Sequence, residues 1–233
     1  MGKVDDCLAW LLPRRCVLCL AASGRHAVCA GCWPELPWLP PGCPGCGASL
    51  PASTPPGSCI RCRRGRKAPL RVRAALAYTW PVDRLVTGAK FHRQLHFACA
   101  LGELLATAVG SATAVDDRPD LLVPGPLHRS RLIERGYNQA LEIATPLAAA
   151  LGLPLAPQLC TRVRHTPGQT GLSASARRRN LRGAFAVRGT CAGMRIAIVD
   201  DVVTTGSTAT ALARALLAAG AARVEVWAVA RTL

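Results

Sequence analysis

Residues 195–220 read RIAIVDDVVTTGSTATALARALLAAG, and this stretch decides both the fold class and the kind of ligand. Arg195–Val199 is a short apolar run of β-strand type. Asp200 and Asp201 place two carboxylates at the carboxyl end of that strand. The hydroxyl-rich turn Thr204–Thr208 follows, with a glycine at the point where the backbone must come close to a ligand.

A helix follows the turn. From Ala209 the apolar side chains recur at helical spacing, with Leu212 and Leu216 one turn apart and Gly220 at the expected C′ cap. A turn rich in backbone N–H groups at a helix N-terminus binds phosphate, because unpaired amides and the helix dipole both favour negative charge. The two carboxylates before the turn repel a phosphate but suit the hydroxyls of a sugar that carries it. The stretch therefore predicts a site for a ribose 5-phosphate.

Other phosphate-binding motifs differ from this stretch. A Walker loop needs Gly-Lys-Ser/Thr, and a dinucleotide-binding fold needs GxGxxG; the stretch contains neither. The plain alternative is an ordinary strand–turn–helix junction with a capping Asp and Ser. Two adjacent acids followed by five turn residues make a chance match the less favoured interpretation.

The stretch resembles the phosphoribosyl pyrophosphate (PRPP) motif of type I phosphoribosyltransferases. In that family the two acids bind the 2′ and 3′ hydroxyls of ribose and the turn holds the 5′-phosphate, with Mg²⁺ bridging the pyrophosphate and the hydroxyls. The resemblance assigns the acids, as the catalytic pair, to Asp200 and Asp201. It assigns the phosphate turn to Thr204, Thr205, Gly206, Ser207 and Thr208. Purine salvage relatives carry an acid at the position of Thr204, so this threonine weakens a hypoxanthine–guanine salvage interpretation and leaves the acceptor open.

Eight of the twelve cysteines form four CxxC pairs: Cys16/Cys19, Cys29/Cys32, Cys43/Cys46 and Cys59/Cys62. A CxxC turn brings two thiolates to one tetrahedral cation, and two such turns complete a closed four-cysteine site. The four pairs predict two structural zinc ions, and the loops are shortest if the first pair joins the second and the third joins the fourth. Disulfides are the alternative, but no export signal supports them. A redox CxxC lacks its usual βαβ context.

The sequence pattern changes near residue 70. Residues 34–56 are dense in Pro and Gly and build little core, so their fold must depend on metal. A basic linker follows at 61–67, where nucleic-acid contact and simple solvation both remain open. From Arg73 strands alternate with helices, which predicts a parallel sheet with helices on both faces. We therefore expect a zinc-ribbon domain over 1–69 and an α/β domain over 70–233.

The predicted elements of the second domain frame the ligand site. Besides the opening strand we expect strands at Ala74–Thr79, Asp120–Val123, Leu155–Leu159 and Arg223–Ala230, helices at Pro81–Phe91, Leu95–Val109 and Asn138–Leu151, and a polar loop at Arg162–Asn180. Ligands of such sheets bind at the carboxyl ends of the strands. The turns after Asp201 and at Pro124 both lie there.

The composition limits the classes of binding partner and the cell compartment that we expect. The 233 residues carry a formal net charge of +16, which favours phosphate-rich partners such as nucleotides, pyrophosphate or nucleic acid. A coding bias towards Arg and Ala explains the charge equally well. No apolar run approaches the ~20 residues of a membrane helix, and the short run Cys7–Leu12 ends in Pro13-Arg14-Arg15. We expect a cytosolic protein with no membrane span.

Two arginine-containing clusters also suit a pyrophosphate, which needs dispersed positive charge and bidentate donors. The first runs from Pro126 to Arg131 and on to Arg135–Gln139. The second is the loop His165–Gln169 with Arg177 and Asn180 beyond it, which could close over the reaction and exclude water. Each cluster alone is equally consistent with a solvated face. Lys90 is a weaker candidate, because a lysine also stabilises a helix C-terminus.

Taken together these residues resemble the ComF family, which joins an N-terminal zinc ribbon to a type I phosphoribosyltransferase domain. The resemblance covers nearly the whole chain and rests on the CxxC pairs, Lys90-Phe91, Pro126-Leu127-His128 with Arg131, Arg135–Gln139, Gln169 with Leu172, Arg177 and Asn180, and the PRPP motif. It implies that Lys90, Arg131, Arg135 and Gln169 help to bind PRPP. Relatives often carry a larger residue than Gly125 between two prolines, so a looser loop is expected here. Some members have a single ribbon, whereas this chain is expected to have two.

The resemblance leaves two functions open. The family is tied to natural competence and helps transforming single-stranded DNA enter the cytoplasm. The chain is then either a PRPP-dependent transferase or a non-catalytic PRPP-binding module that acts with single-stranded DNA and competence proteins. The acid pair and its turn predict PRPP binding in both cases.

Overall fold

The computed structural model describes residues 14–40, 42–43, 45–48, 50, 59–63, 70–164, 181 and 183–232. The strands are β1 (Arg14–Arg15), β2 (Ala22–Gly24), β3 (Arg71–Ala77), β4 (Leu121–Pro124), β5 (Cys160–Arg162), β6 (Phe185–Val187), β7 (Arg195–Val203) and β8 (Arg223–Arg231). The α-helices are α1 (Ile60–Arg63), α2 (Val82–Phe91), α3 (Leu95–Ala112), α4 (Arg129–Arg135), α5 (Gln139–Leu151) and α6 (Ser207–Ala218). A four-stranded parallel sheet in the order β3–β8–β7–β4 forms the centre of the fold.

The two faces of the sheet carry separate cores, so the prediction of helices on both faces is confirmed. Along β7 the side chains alternate: Ala197 and Val199 face one core, while Ile196 and Ile198 face the other. Helices α2, α3 and α5 cover the first face. Helix α6 and the hairpin of β5 and β6 cover the second. Near-continuous apolar strands of this kind are typical of parallel sheets buried on both sides.

The zinc-ribbon region completes an edge of this sheet. Trp38 forms an antiparallel bridge with Leu76, which lies in edge strand β3. The neighbouring Leu39 N–H donates to the carbonyl of Ala75 at 2.9 Å. Leu36 is 4 % exposed and belongs to the main core, so residues 34–40 contribute more core than their composition predicts. The ribbon thus protects an edge that would otherwise present unpaired backbone groups.

Helix boundaries near the site follow their capping residues. Asn138 caps α5, because its Oδ1 accepts the Ala140 N–H at 3.1 Å, and Gly152 ends that helix with φ 64°. The helix predicted at Asn138–Leu151 is therefore confirmed. Gly220 likewise has φ 97°, beyond the end of α6. That helix begins at Ser207, two residues before the predicted Ala209.

Three sequence predictions are wrong in detail. Leu155–Leu159 is not a strand, since within it only Leu155 forms an isolated bridge; Pro154 and Pro157 lack the N–H groups that a ladder needs. The first arginine-containing cluster, for which no element was predicted, contains helix α4, capped by His128, whose Nδ1 accepts the Ser130 N–H at 3.3 Å.

Strand β7 extends beyond its predicted end. It continues to Val203, so Asp200 and Asp201 lie within the strand rather than after it. Arg162 lies in β5, and residues 165–180 of the predicted polar loop lie outside the described residues. The predicted domain boundary at 69/70 adjoins the undescribed residues 64–69 and stays a prediction.

Helix α3 is long and apolar enough to cross a membrane by length and composition alone. In this structure it packs in the first core, where Leu101 and Leu105 are fully buried. Core helices of globular proteins pass the same test, and α3 is part of the first core.

Candidate functional site

The eight paired cysteines form two compact sets. Cys16, Cys19, Cys29 and Cys32 make the first, and Cys43, Cys46, Cys59 and Cys62 make the second; within each set all Sγ atoms lie within 4.8 Å of one another. Sulfur atoms on a tetrahedral zinc with bonds of about 2.3 Å lie about 3.8 Å apart. One Sγ–Sγ distance in each set is 3.6 Å. The geometry fits two zinc ions and confirms the predicted pairing of first with second and third with fourth.

The two sets stabilise their thiolates in the same way. Burial disfavours the thiolates of Cys16 and Cys43, but backbone N–H groups outweigh it and lower the pKa of each to about 6. In each set the donors are three backbone N–H groups at corresponding positions. Two belong to the residues two and three positions after Cys16 or Cys43, and the third belongs to the first cysteine of the next CxxC pair. A thiolate is the form that zinc binds. The two ribbons therefore share the same arrangement of backbone donors around their first cysteine.

The acid pair lies at the carboxyl end of β7 and is held by its own strand and by α2. The Asp200 Oδ1 accepts the Asp201 N–H at 2.9 Å, and the Asp201 Oδ1 accepts the Val202 N–H at 2.8 Å. The Lys90 ammonium lies 2.9 Å from the Asp201 Oδ2, and Asp201 is only 5 % exposed. The structure thus brings Lys90, which is far away in the sequence, into contact with the adjacent acid pair.

The two carboxyl groups differ in protonation. Burial and the neighbouring charge of Asp201 raise the pKa of Asp200 to about 8. Burial also disfavours ionised Asp201, but Lys90 outweighs that effect and lowers the pKa of Asp201. Near neutral pH the pair therefore carries one proton, on Asp200. One carboxylate that accepts and one carboxyl that can donate suit a pair of adjacent sugar hydroxyls.

The turn after β7 has the form of an anion site. Gly206 adopts φ 71° directly before α6, a left-handed conformation that glycine adopts without a steric penalty. The Thr205 Oγ1 and the Ser207 Oγ lie 2.9 Å apart. The first N–H groups of a helix have no partner within it, so the amides at the start of α6 are available to bind an anion.

Helix α4 contributes positive charge near the acid pair. Burial lowers the pKa of Arg135, and the Asp201 carboxylate opposes that shift, which places this guanidinium within electrostatic reach of the pair. The Arg135 guanidinium donates to the Gln139 Oε1 and lies 5.6 Å from the centroid of the Phe91 ring. Arg131 lies one helical turn before Arg135 in α4. We call Arg131 and Arg135 the basic wall.

The sequence did not indicate that Arg162 contributes positive charge near the acid pair. Burial and the charge of Arg131 lower the pKa of Arg162, and the Asp200 carboxylate opposes them. Its strand β5 also forms a parallel bridge between Arg162 and His128. Nothing in the local sequence placed this arginine near the acids, because its approach depends on how β5 packs on the sheet.

The loop at Gly125 is held on both sides. Its N–H donates to the carbonyl of Val199 at 2.9 Å, and its carbonyl accepts from the Asn138 side chain at 3.1 Å. A Cβ at this position would lie 3.5 Å from the Val199 carbonyl oxygen and 3.8 Å from the Asp200 Oδ1, which are ordinary contacts. These contacts do not support the expected looser loop. Gln169, Leu172, Arg177 and Asn180 lie outside the described residues.

Comparisons with known proteins agree with these two regions. A family described as double zinc ribbon domain matches residues 7–65, and one described as phosphoribosyl transferase domain matches residues 138–232. Glutamine phosphoribosylpyrophosphate amidotransferase from B. subtilis covers 55 % of this chain and 25 % of its own at 26 % identity, with a TM-score of 0.37.

Two relatives align over nearly their whole length. DNA utilization protein YhgH of Salmonella typhimurium is 41 % identical over 97 % of this chain and 97 % of its own. Competence protein F of Haemophilus influenzae is 32 % identical over 93 % of this chain and 96 % of its own. With its double zinc ribbon and its phosphoribosyltransferase fold, the chain belongs to the ComF family.

Proposed function

We propose that this protein binds PRPP at the carboxyl end of β7. The observation that carries the proposal is the acid pair itself: Asp201 held by Lys90 at 2.9 Å, Asp200 beside it, and an open helix N-terminus immediately after. Asp200 and Asp201 would bind the ribose hydroxyls. The backbone and hydroxyl groups of Thr204–Thr208 would bind the 5′-phosphate.

The basic wall supports a pyrophosphate group at the other end of the ligand. Arg131 and Arg135, together with Lys90, offer positive charge around the acids. Gln169 is proposed as a further contact from the segment outside the described residues. The substrate would be the Mg²⁺ complex of PRPP, in which the metal neutralises charge on the pyrophosphate leaving group.

Transfer is the first of two candidate activities. The bond from ribose C1 to pyrophosphate would break, a nucleophile would bond to C1, and pyrophosphate would leave with the bonding electrons. This chain's residues would act by holding the ribose and both phosphate ends in position through a transition state of oxocarbenium character. Thr204 provides no acid for an attacking base, so the acceptor is not assigned.

The second candidate is a non-catalytic PRPP sensor in DNA utilization. The names of the relatives, DNA utilization protein YhgH and Competence protein F, favour a role with DNA. The net charge of +16 is compatible with a polyanionic partner. Eight thiols that must stay reduced for zinc fit the cytoplasm, where we propose that the protein acts.

Calorimetry with PRPP and Mg²⁺ tests the binding proposal. Asp201→Asn should weaken binding at least about tenfold, because a hydrogen bond to a charged group contributes about 1.5–3 kcal/mol. Asp116→Asn, which removes an exposed acid elsewhere, is the matched control and should leave binding unchanged. Circular dichroism of each variant separates lost binding from lost folding. Absence of PRPP binding by the folded wild-type protein would end both candidate activities.

Pyrophosphate release distinguishes the two activities. A transferase should release pyrophosphate from PRPP when the correct acceptor is present, and Asp201→Asn should abolish that release. Binding of PRPP without release across purine, pyrimidine and amine acceptors would favour the sensor.

A further inference from the structure

The two zinc sets differ at their second cysteine. Cys19 is exposed to solvent, whereas Cys46, at the same position of the second set, is only 8 % exposed. The first cysteine is buried in both sets, with 0 % of Cys16 and 1 % of Cys43 exposed. The sets therefore share a buried first thiol and differ in how far solvent reaches the second.

The turn that follows each second cysteine also differs between the sets. It requires a left-handed residue, since φ is 64° at Leu20 and 66° at Gly47. Glycine adopts this conformation without a steric penalty, but the Cβ of a leucine crowds the backbone there. The Leu20 side chain is 65 % exposed and so gains little packing in return. A strained turn therefore follows Cys19, and a relaxed one follows Cys46.

The central sheet covers the second set at this turn. The Arg231 guanidinium donates to the carbonyl of Cys46 at 2.6 Å. A Cβ on Gly47 would lie 2.5 Å from the carbonyl oxygen of Val72 in β3, so the backbone of the turn lies directly against that strand. Packing on the sheet thus accounts for the burial of Cys46.

A cleft of about 650 Å³ opens beside the first set. Cys19 and Cys32 line it, together with residues in and around α2 that include Trp80, Arg84 and His92. A cysteine that binds zinc is a thiolate, which is the nucleophilic form of the side chain. Oxidation of cysteine follows thiolate character and exposure. Of the eight paired cysteines, Cys19 is the exposed one, so it combines both properties.

We propose that Cys19 is a site of oxidation by small two-electron oxidants of the peroxide class. The Cys19 sulfur attacks one oxygen of hydrogen peroxide, the O–O bond breaks, and the departing hydroxide takes up a proton to give water. Cys19 becomes a sulfenic acid in this step. The cleft admits the oxidant to Cys19, while the buried Cys46 is shielded from it.

A second thiolate of the same set completes the reaction. The Cys29 Sγ lies 3.6 Å from the Cys19 Sγ. It attacks the sulfenic sulfur, an S–S bond forms, and hydroxide leaves and is protonated to water. Two thiolates have then lost two electrons, and peroxide has been reduced to two molecules of water. The first set keeps two of its four ligands, too few for the closed site of a structural zinc ion.

Loss of this zinc site should loosen the first ribbon. The ribbon is attached to α3 through Glu103, whose carboxylate accepts the Ala27 N–H at 3.0 Å and pairs with Arg14 at 2.6 Å. Its buried Val28 belongs to the first core. Oxidation should therefore increase hydrogen exchange in residues 14–36 and in the facing part of α3, and leave the parallel sheet unchanged. This inference does not depend on PRPP binding.

Titration of the zinc-loaded protein with hydrogen peroxide tests the proposal. Zinc release is followed with a chromophoric chelator, and sulfenic acids are trapped with dimedone and located by mass spectrometry. One of the two zinc ions should be released well before the other, with dimedone first on Cys19 among the eight paired cysteines. Without dimedone, a disulfide should form within the first set. A phosphine reductant with added zinc should restore both ions.

Variants separate attack at Cys19 from general instability of the ribbon. Cys19→His keeps a zinc ligand but has no thiolate at this position, so it should bind two zinc ions and lose most of the early release. Cys99→Ser, which removes a thiol outside both sets, is the control and should release zinc as the wild-type protein does. If Cys19→His does not fold, the dimedone pattern of the wild-type protein decides alone. Release of both ions at one rate, or first labelling of another paired cysteine, would overturn the proposal, as would unchanged early release from folded Cys19→His.

Discussion

The zinc ribbons and the ribose-phosphate site are built in opposite ways. Each ribbon gathers four ligands from a short stretch of chain, and its sulfur atoms lie within 4.8 Å of one another. The acid pair is completed by Lys90, which comes from a different helix far away in the sequence. The ribbons depend on bonds to a metal, whereas the site depends on a packed parallel sheet that aligns β7 with α2. One region is therefore sensitive to chelation and the other to changes in packing and charge.

Removal of zinc should have the largest effect and should fall first on the ribbons. Structural zinc contributes about 10–16 kcal/mol to small zinc domains. Metal analysis should give two zinc ions per chain, and Cys43→Ser should leave one. The variant should lose hydrogen-exchange protection in the second ribbon and keep it in the sheet. Cys99→Ser, a cysteine outside both sets, is the control. A single zinc ion in the wild-type protein would contradict the double-ribbon assignment.

Breaking the Lys90–Asp201 pair should have the next largest effect and should fall on the site. Lys90→Met leaves a carboxylate that is 5 % exposed without its cation. Removing one partner of a buried pair costs about 3–5 kcal/mol, and we expect about 2 kcal/mol because the Lys90 side chain keeps 30 % exposure. Asp201→Asn should cost less, since Lys90 can turn towards water. Urea denaturation measures the difference, and equal costs for the two variants would contradict the ion pair.

This comparison also explains what the sequence could predict. Ligand spacing is local, so the CxxC pairs predicted two zinc sites, and the shortest loops favoured the pairing of first with second and third with fourth that the structure shows. The acid pair and its turn are also contiguous, so Asp200, Asp201 and Thr204–Thr208 were recognised as one motif. Packing is not local. The approach of Arg162 to Asp200 follows from the position of β5 over the sheet, and no pattern around Arg162 indicates it.

The errors in the predicted elements have a similar origin. The strand expected at Leu155–Leu159 is apolar enough, but Pro154 and Pro157 remove donors, so pairing there is limited to the bridge of Leu155 with Leu122, and the next ladder begins at Cys160. Strand β7 continues to Val203 because β8 offers a partner along its whole length, up to the pairing of Val203 with Arg231. Propensity favoured an end at Val199, and tertiary pairing extended the strand.

The unequal protonation of the acid pair predicts a pH effect confined to the site. Asp200 has a raised pKa in the folded state, about 8, against about 4 when unfolded. Its contribution to stability is therefore complete below pH 4 and is lost as the pH rises towards 8. The lowered pKa of Asp201 changes the free energy of unfolding only below about pH 4, where the carboxylate of the unfolded chain becomes protonated. Between pH 5.5 and 8 the free energy of unfolding should fall more steeply in the wild-type protein than in Asp200→Asn.

Parallel denaturation curves at several pH values measure this effect. The Asp116→Asn variant serves as control, because that acid is exposed and lies at the other end of the sheet. It should follow the wild-type curve. Identical pH slopes for wild-type and Asp200→Asn proteins would show that Asp200 is ionised throughout, and the one-proton description of the pair would be wrong.

Two glycines beside the site should give the smallest and most discriminating difference. Gly206 has φ 71°, so Gly206→Ala should cost about 1 kcal/mol from backbone strain alone, although its Cβ would meet only Val203 at 3.9 Å. Gly125→Ala should change the free energy of unfolding by less than about 0.5 kcal/mol, because its Cβ meets the Val199 oxygen at an ordinary 3.5 Å. PRPP affinity should follow the same order, since Gly206 shapes the phosphate turn while Gly125 only borders Asp200. A larger loss from Gly125→Ala would mean that the ligand approaches the Gly125 loop more closely than the phosphate turn.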